Sequence, residues 1–302
     1  MGNLIFIAAC FLGGFFLRRT GRFPENFPAS LNAFIIHFSL PALTLVYIHQ
    51  IEFSWELFFP LSMAWIFFAF GFLFFNFAGR LLNLPSRTVG CLILTCALGN
   101  TSFVGLPMIE AFYGQAYLGT GLIVDQAGTF VVLSTLGILT ATRYASGRVP
   151  FTVILKRIFT FPPFYAVILA VGTRPLLYPD WLNLIIERFG QTLIPLALIS
   201  VGFQIRFSSV RQYAKKLVTG LVFKLVIGPA FILALFVFVM KGYGPLVRVT
   251  IFEAAMPPII MGSIIAIEYK LDPHLASLLL GVGIPLSFLT LTGWWWMLST
   301  AF

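Results

Sequence analysis

Three ionisable side chains stand in long apolar stretches: Asp125, Lys224 and Glu253. Charge at membrane depth is costly and is kept where it functions, so each is a candidate site group. With a rise of 1.5 Å per residue and a hydrocarbon core about 30 Å thick, Asp125 lies about 13 Å from the outer end of its segment. Lys224 lies about 12 Å from the inner end of its own, and Glu253 some 10 Å from the outer end. A lone carboxylate at such depth is protonated, paired or bound to a cation. Asp125 and Glu253 therefore suit ion coupling, the alternatives being a structural hydrogen bond and a helix cap. Lys224 can attract an anion or pair with Asp125, or it can extend its ammonium to the inner surface. His37, in mid-segment, reads as a packed, hydrogen-bonded histidine.

Two interruptions of the apolar pattern must position these groups. The first is Gly99-Asn100-Thr101-Ser102-Phe103-Val104-Gly105-Leu106-Pro107, inside an apolar segment over 89–113. Pro107 lacks an N–H and clashes with the carbonyl four residues back, which frees backbone groups. Freed backbone within a bilayer survives only when buried in protein or lining a wet cavity. The second interruption, Ala254-Ala255-Met256-Pro257-Pro258-Ile259-Ile260-Met261-Gly262-Ser263, follows half a chain later. Paired interruptions in two halves point to a transporter's binding site. A helix restarting after a break turns free N–H groups and a partial positive charge toward an anion. The substrate-binding candidates are Gly99, Asn100, Thr101, Ser102, Gly105, Pro107, Pro257, Pro258, Gly262 and Ser263. The amide and hydroxyls would orient a ligand, and the glycines would admit it closely.

Composition sets the wider frame. Of 302 residues, 59% are hydrophobic and 10% charged, which excludes an ordinary soluble domain. The net charge of +9 belongs to loops that orient membrane spans, and no nucleic-acid partner is expected. Cys10, Cys91 and Cys96 lie in apolar runs and form neither a disulfide framework nor a zinc spacing. Arg18, Arg19 and Arg22 follow the first apolar stretch, the reverse of a signal peptide. Periodicity predicts an all-α polytopic membrane protein with ten spans: 3–17, 28–48, 57–78, 88–113, 116–139, 158–172, 181–203, 217–240, 246–268 and 275–299. The expected organisation is a five-helix repeat over 1–142, a cytoplasmic basic linker over 143–157 and an inverted five-helix repeat over 158–302. Pro41 and Pro195, 154 positions apart, mark the second span of each half. Odd-numbered loops hold 14 of the 19 Lys and Arg residues and even-numbered loops 3, which places both termini outside the cytoplasmic membrane. Trp294, Trp295 and Trp296 read as an interfacial aromatic belt.

These residues carry a family resemblance. The stretch 96–107 followed by 110–114 resembles the fourth helix of the auxin efflux carrier family. Asp125 with the glycines and Thr129 after it resembles the fifth, and 254–257 with 268–272 the ninth. The family includes plant PIN-type carriers and bacterial permeases for malonate and related carboxylates. The short basic midpoint is similar to that of a bacterial-type member. The resemblance implies ten helices in two inverted repeats, with helices 1, 2, 6 and 7 as an often dimeric scaffold. Helices 3–5 and 8–10 would form a transport domain in which broken helices 4 and 9 cross.

The expected function is secondary transport of small organic anions, auxin-like or malonate-like carboxylates, by alternating access. Na⁺ or a proton would serve as coupling ion, with no other cofactor and no metal centre. The competing reading is a transporter-like sensor that binds a small anion without net transport. No His-Glu-x-x-His, Gly-x-Ser-x-Gly or clustered His/Cys pattern marks an enzyme.

Overall fold

In the computed structural model, residues 2–51, 54–145, 152, 159–205 and 210–301 are described. The linker expected over 143–157 therefore lies outside the described residues except at 143–145 and 152, and Glu52 and Arg206 lie outside them too. The described chain is helical, without a strand: α1 (Gly2–Arg19), α2 (Phe27–His49), α3 (Trp55–Leu81), α4 (Ser86–Cys96), α5 (Thr101–Phe112) and α6 (Gln115–Ala145) form the first half. The second half holds α7 (Pro162–Gly172), α8 (Asp180–Gln204), α9 (Val210–Val239), α10 (Pro245–Ala254), α11 (Ile260–Glu268) and α12 (Pro273–Thr300). Six of these, α2, α3, α6, α8, α9 and α12, are long and apolar enough to cross a membrane.

Three of the prolines within helices share one device. A wide π-helical turn ends two residues before each of Pro41, Pro107 and Pro229, at Ile35–Ser39, Thr101–Gly105 and Phe223–Ile227. The wider turn lets the ladder pass a residue that cannot donate. Pro107 consequently sits in helix, and the helical pattern stops earlier, across 97–100. Two backbone carbonyls near helix irregularities accept from indole donors. Pro229 has no N–H for the Leu225 carbonyl, to which Trp294 Nε1 donates at 2.8 Å. Trp295 Nε1 donates at 3.2 Å to Phe112 O, at the end of α5. Of the expected aromatic belt, Trp296 alone is exposed, while Trp294 and Trp295 spend their donors within the bundle.

The helices pack in two groups. In one, α1 lies along α8, and α2 lies against α7 and α8. A Cβ on Gly14 would stand 2.1 Å from Ile199 O, and one on Gly202 2.0 Å from Phe11 O, so these glycines let α1 and α8 touch backbone to backbone. Buried polar pairs pin this group, Ser39 Oγ to Thr192 Oγ1 at 2.7 Å and Ser200 Oγ to Asn32 Oδ1 at 2.6 Å. In the other group α3 packs on α6 and α10, α4 on α6 and α11, and α12 on α9 and α11. Lys216 Nζ meets Asp272 Oδ2 at 3.2 Å, and Thr88 Oγ1 donates to the same oxygen at 2.9 Å, joining the starts of α4, α9 and α12.

Candidate functional site

The two non-helical stretches meet each other. Asn100 N donates to Pro257 O at 2.9 Å and Ile259 N to Thr95 O at 3.0 Å, and Gly99 forms an isolated antiparallel bridge with Pro258. Each break thus satisfies backbone groups of the other, as buried irregular chain requires. Asn100 is the N-cap of α5: its Oδ1 accepts from Phe103 N at 3.3 Å and its carbonyl from Gly105 N at 2.9 Å. Asn100 Nδ2 is buried with no hydrogen-bond partner among the described residues. Gly262 carries α11 past α4, where a Cβ would stand 2.0 Å from Leu94 O.

The charged groups surround this crossing. Asp125 lies in the π-turn Val124–Thr129 of α6, buried, and its Oδ1 accepts from Thr101 Oγ1 and Ser102 Oγ, each at 2.6 Å. A carboxylate therefore occupies the positive end of α5, where the helix dipole favours it. Lys224 is fully buried on α9: its Nζ donates to Ala254 O at 2.8 Å and lies 4.2 Å from the Phe67 ring centroid. The ammonium caps the negative end of α10 where that helix stops, and does not extend to the surface. Glu253 is 0% exposed, and among the described residues neither carboxyl oxygen has a hydrogen-bond partner. Its carboxyl rests in a slot walled by glycine: a Cβ on Gly105 would stand 2.5 Å from Oε1 and 2.6 Å from Oε2, and one on Gly121 3.3 Å from Oε1.

Beside the crossing opens a cavity of about 380 Å³, within the range of small-molecule sites. Ser102, Phe103 and Ile259 line it from the breaks, Asp125, Thr129, Phe130 and Ser134 from α6, and His37 and Leu40 from α2. Phe161 and Pro162 close one side, with the Phe161 ring stacked on Phe130 at 3.5 Å between centroids. Glu268, at the end of α11, also faces it. The wall is mainly apolar, and among its described residues it carries no Lys or Arg. The starts of both α5 and α11 adjoin it, and α11 has no side-chain cap at its N-terminus.

Over residues 1–295 the sequence matches the family described as Membrane transport protein. The chain belongs to this family. It is the auxin efflux carrier family that the two interruptions resemble, and the protein is a multi-pass membrane protein of transporter lineage. An uncharacterized transporter of Methanocaldococcus jannaschii is 23% identical over 99% of this chain and 98% of its own length. An uncharacterized transporter of Methanothermobacter thermautotrophicus is 26% identical over 93% of this chain and 92% of its own.

Within this family member, the residues singled out from sequence fall in different places. Gly99, Asn100, Thr101, Pro257 and Pro258 make the crossing, and Ser102 and Asp125 reach the cavity wall. Gly105 packs on Glu253 and Gly262 on Leu94. Pro107 lines a separate small pocket of about 40 Å³. Ser263 bonds back to Ile259 O at 3.1 Å and borders another cavity of about 340 Å³ with Glu25, Asn32 and Gln204. His37, assigned to packing, does bond Ala33 O through Nδ1 at 2.8 Å, yet it also faces the main cavity. Phe130, Ser134 and Phe161 carried no signal, because single residues of ordinary type declare nothing without a three-dimensional partner. Thr129, whose Oγ1 is buried without a partner among the described residues, lies four residues after Asp125 and lines the same cavity.

Proposed function

We propose that the protein is a secondary carrier of small organic anions, working by alternating access with ten crossings in two inverted five-helix repeats. The broken fourth and ninth spans, α4 with α5 and α10 with α11, cross at the bilayer midplane and hold the substrate. The reading rests above all on one observation: two buried, mutually bonded chain breaks border a mainly apolar cavity of about 380 Å³. The positive end of α5 is engaged by Asp125, whereas that of α11 is uncapped, so the substrate carboxylate sits at the start of α11 beside Ile259 and Met261. Among its described residues the wall carries no Lys or Arg to offset a second charge, so a monocarboxylate with an apolar body is the substrate class proposed over a dicarboxylate. Asp125 and Glu253 are the ion-coupling groups, for a proton or Na⁺, and Lys224 holds the end of α10 against them. Both termini lie outside the cytoplasmic membrane, and the group of α1, α2, α7 and α8 is the scaffold on which a homodimer would form.

Thermal melting of the purified protein tests this reading. Benzoate at a hundredfold excess over its Kd adds about 2.7 kcal/mol to the folded state and raises Tm by several degrees, whereas malonate at equal concentration does not. Equal stabilisation by both, or by neither, counts against the assignment.

A further inference from the structure

The cavity of about 340 Å³ lies across α11 from the main one. Met261, Ile265 and Glu268 line the main cavity, Ser263 and Ile267 line this one, and Ile264 borders both. Glu25 precedes α2, Gln204 ends α8 and Ser277 stands in the second turn of α12, so this cavity sits at the end of the bundle that carries the basic odd-numbered loops. One hydroxyl fixes how its polar wall is presented. Ser200 Oγ donates to Asn32 Oδ1 at 2.6 Å and accepts from Gln204 Nε2 at 3.2 Å. A serine has one proton to give, so Asn32 must accept from it and Gln204 must donate to it. Each amide therefore turns its other end away from Ser200: a donor, Asn32 Nδ2, and an acceptor, Gln204 Oε1. Neither finds a partner among the described residues, and both side chains line the cavity, Asn32 at only 8% exposure. Ser277 Oγ spends its proton on Pro273 O at 3.0 Å, so toward the cavity it can only accept. Opposite this polar face stand Phe203, Ile264 and Leu280. Among its described residues the wall carries Glu25 but no Lys or Arg, so an anion finds no counter-charge here.

We propose that this cavity is a second ligand site, for a small neutral primary carboxamide on an apolar body. The ligand carbonyl accepts from Asn32 Nδ2, its N–H groups donate to Gln204 Oε1, and its body packs on Phe203, Ile264 and Leu280. A partner for a nearly buried, unmet donor gains more than the same bond made at an open surface. Bound there, the ligand ties α2 and α8 of one helix group to α11 and α12 of the other. The site does not depend on the carrier reading, because its chemistry comes from groups outside the crossing. Benzamide is the fitting probe: it has the shape of benzoate, with a neutral donor in place of the anionic oxygen.

Equilibrium binding of radiolabelled benzamide to the purified full chain in detergent tests the proposal. Binding saturates, and a tenfold excess of unlabelled benzoate leaves it in place. Asn32→Asp keeps the acceptor that Ser200 needs but turns an acceptor toward the cavity, and it weakens benzamide at least about tenfold. Ala29→Trp, at an exposed position on the cavity wall, fills the space without touching either amide and abolishes binding. If Asn32→Asp fails to fold, Ala29→Trp decides alone, with a melting curve like that of the native chain showing that it is intact. Absence of saturable benzamide binding overturns the proposal. Competitive displacement by benzoate does so too, since it would place benzamide in the main cavity. Native affinity in either folded variant also overturns it.

Discussion

Replacing Gly105 by alanine probes the glycine slot around Glu253. The new methyl carbon would stand 2.5 and 2.6 Å from the two carboxyl oxygens and 2.9 Å from the carboxyl carbon, all closer than such atoms approach. The carboxyl cannot retreat freely, because Gly121 walls the slot beyond it and the Glu253 backbone belongs to the last turn of α10. Forcing one methyl into a filled site costs about 1–3 kcal/mol. At roughly 2–4 °C per kcal/mol for a chain of this size class, the melting temperature falls by about 2–12 °C. The assay is a double-mutant cycle read by thermal melting in detergent. Glu253→Ala removes the group that the methyl strikes, so Gly105→Ala in that background costs less than about 0.5 kcal/mol. The coupling between the two sites is then at least about 0.5 kcal/mol. Additive losses would refute the reasoning, since they would mean that the methyl strikes something other than the carboxyl.

Gly262→Ala would press a methyl to within 2.0 Å of Leu94 O, a rigid backbone atom, so the variant accumulates poorly in the membrane by comparison with the neighbouring Met261→Ala. Lys224→Met keeps the side-chain volume but leaves Ala254 O buried without its donor, and lowers stability by about 1–3 kcal/mol in a melting experiment. Asp125→Asn removes the charge held by Thr101 and Ser102, and shifts the dependence of uptake on pH or Na⁺; unchanged coupling excludes Asp125 from that role.

The breaks were legible because Gly, Pro and Asn clustered inside an apolar span weaken the helix ladder where no water can replace it. Their position was less so. Proline suggested a rupture at Pro107, whereas the π-turn over Thr101–Gly105 absorbs it and the chain leaves the helix at 97–100 instead. That adjustment depends on Asn100 and on the facing stretch of 257–259, which no local pattern contains. Lys224 was open to several readings from depth alone, because only the fold brings the end of α10 within reach of its ammonium. Glu253 and its glycines are 132 to 148 positions apart in the chain, so the slot they share exists only after folding.

The most direct test of the carrier account is initial-rate uptake of labelled benzoate into proteoliposomes, comparing the native chain with Asn100→Ala. The account predicts a rate that saturates with concentration and falls to the level of protein-free vesicles when the Asn100 cap is removed. A rate that climbs linearly without limit, or that survives intact in Asn100→Ala, would contradict it.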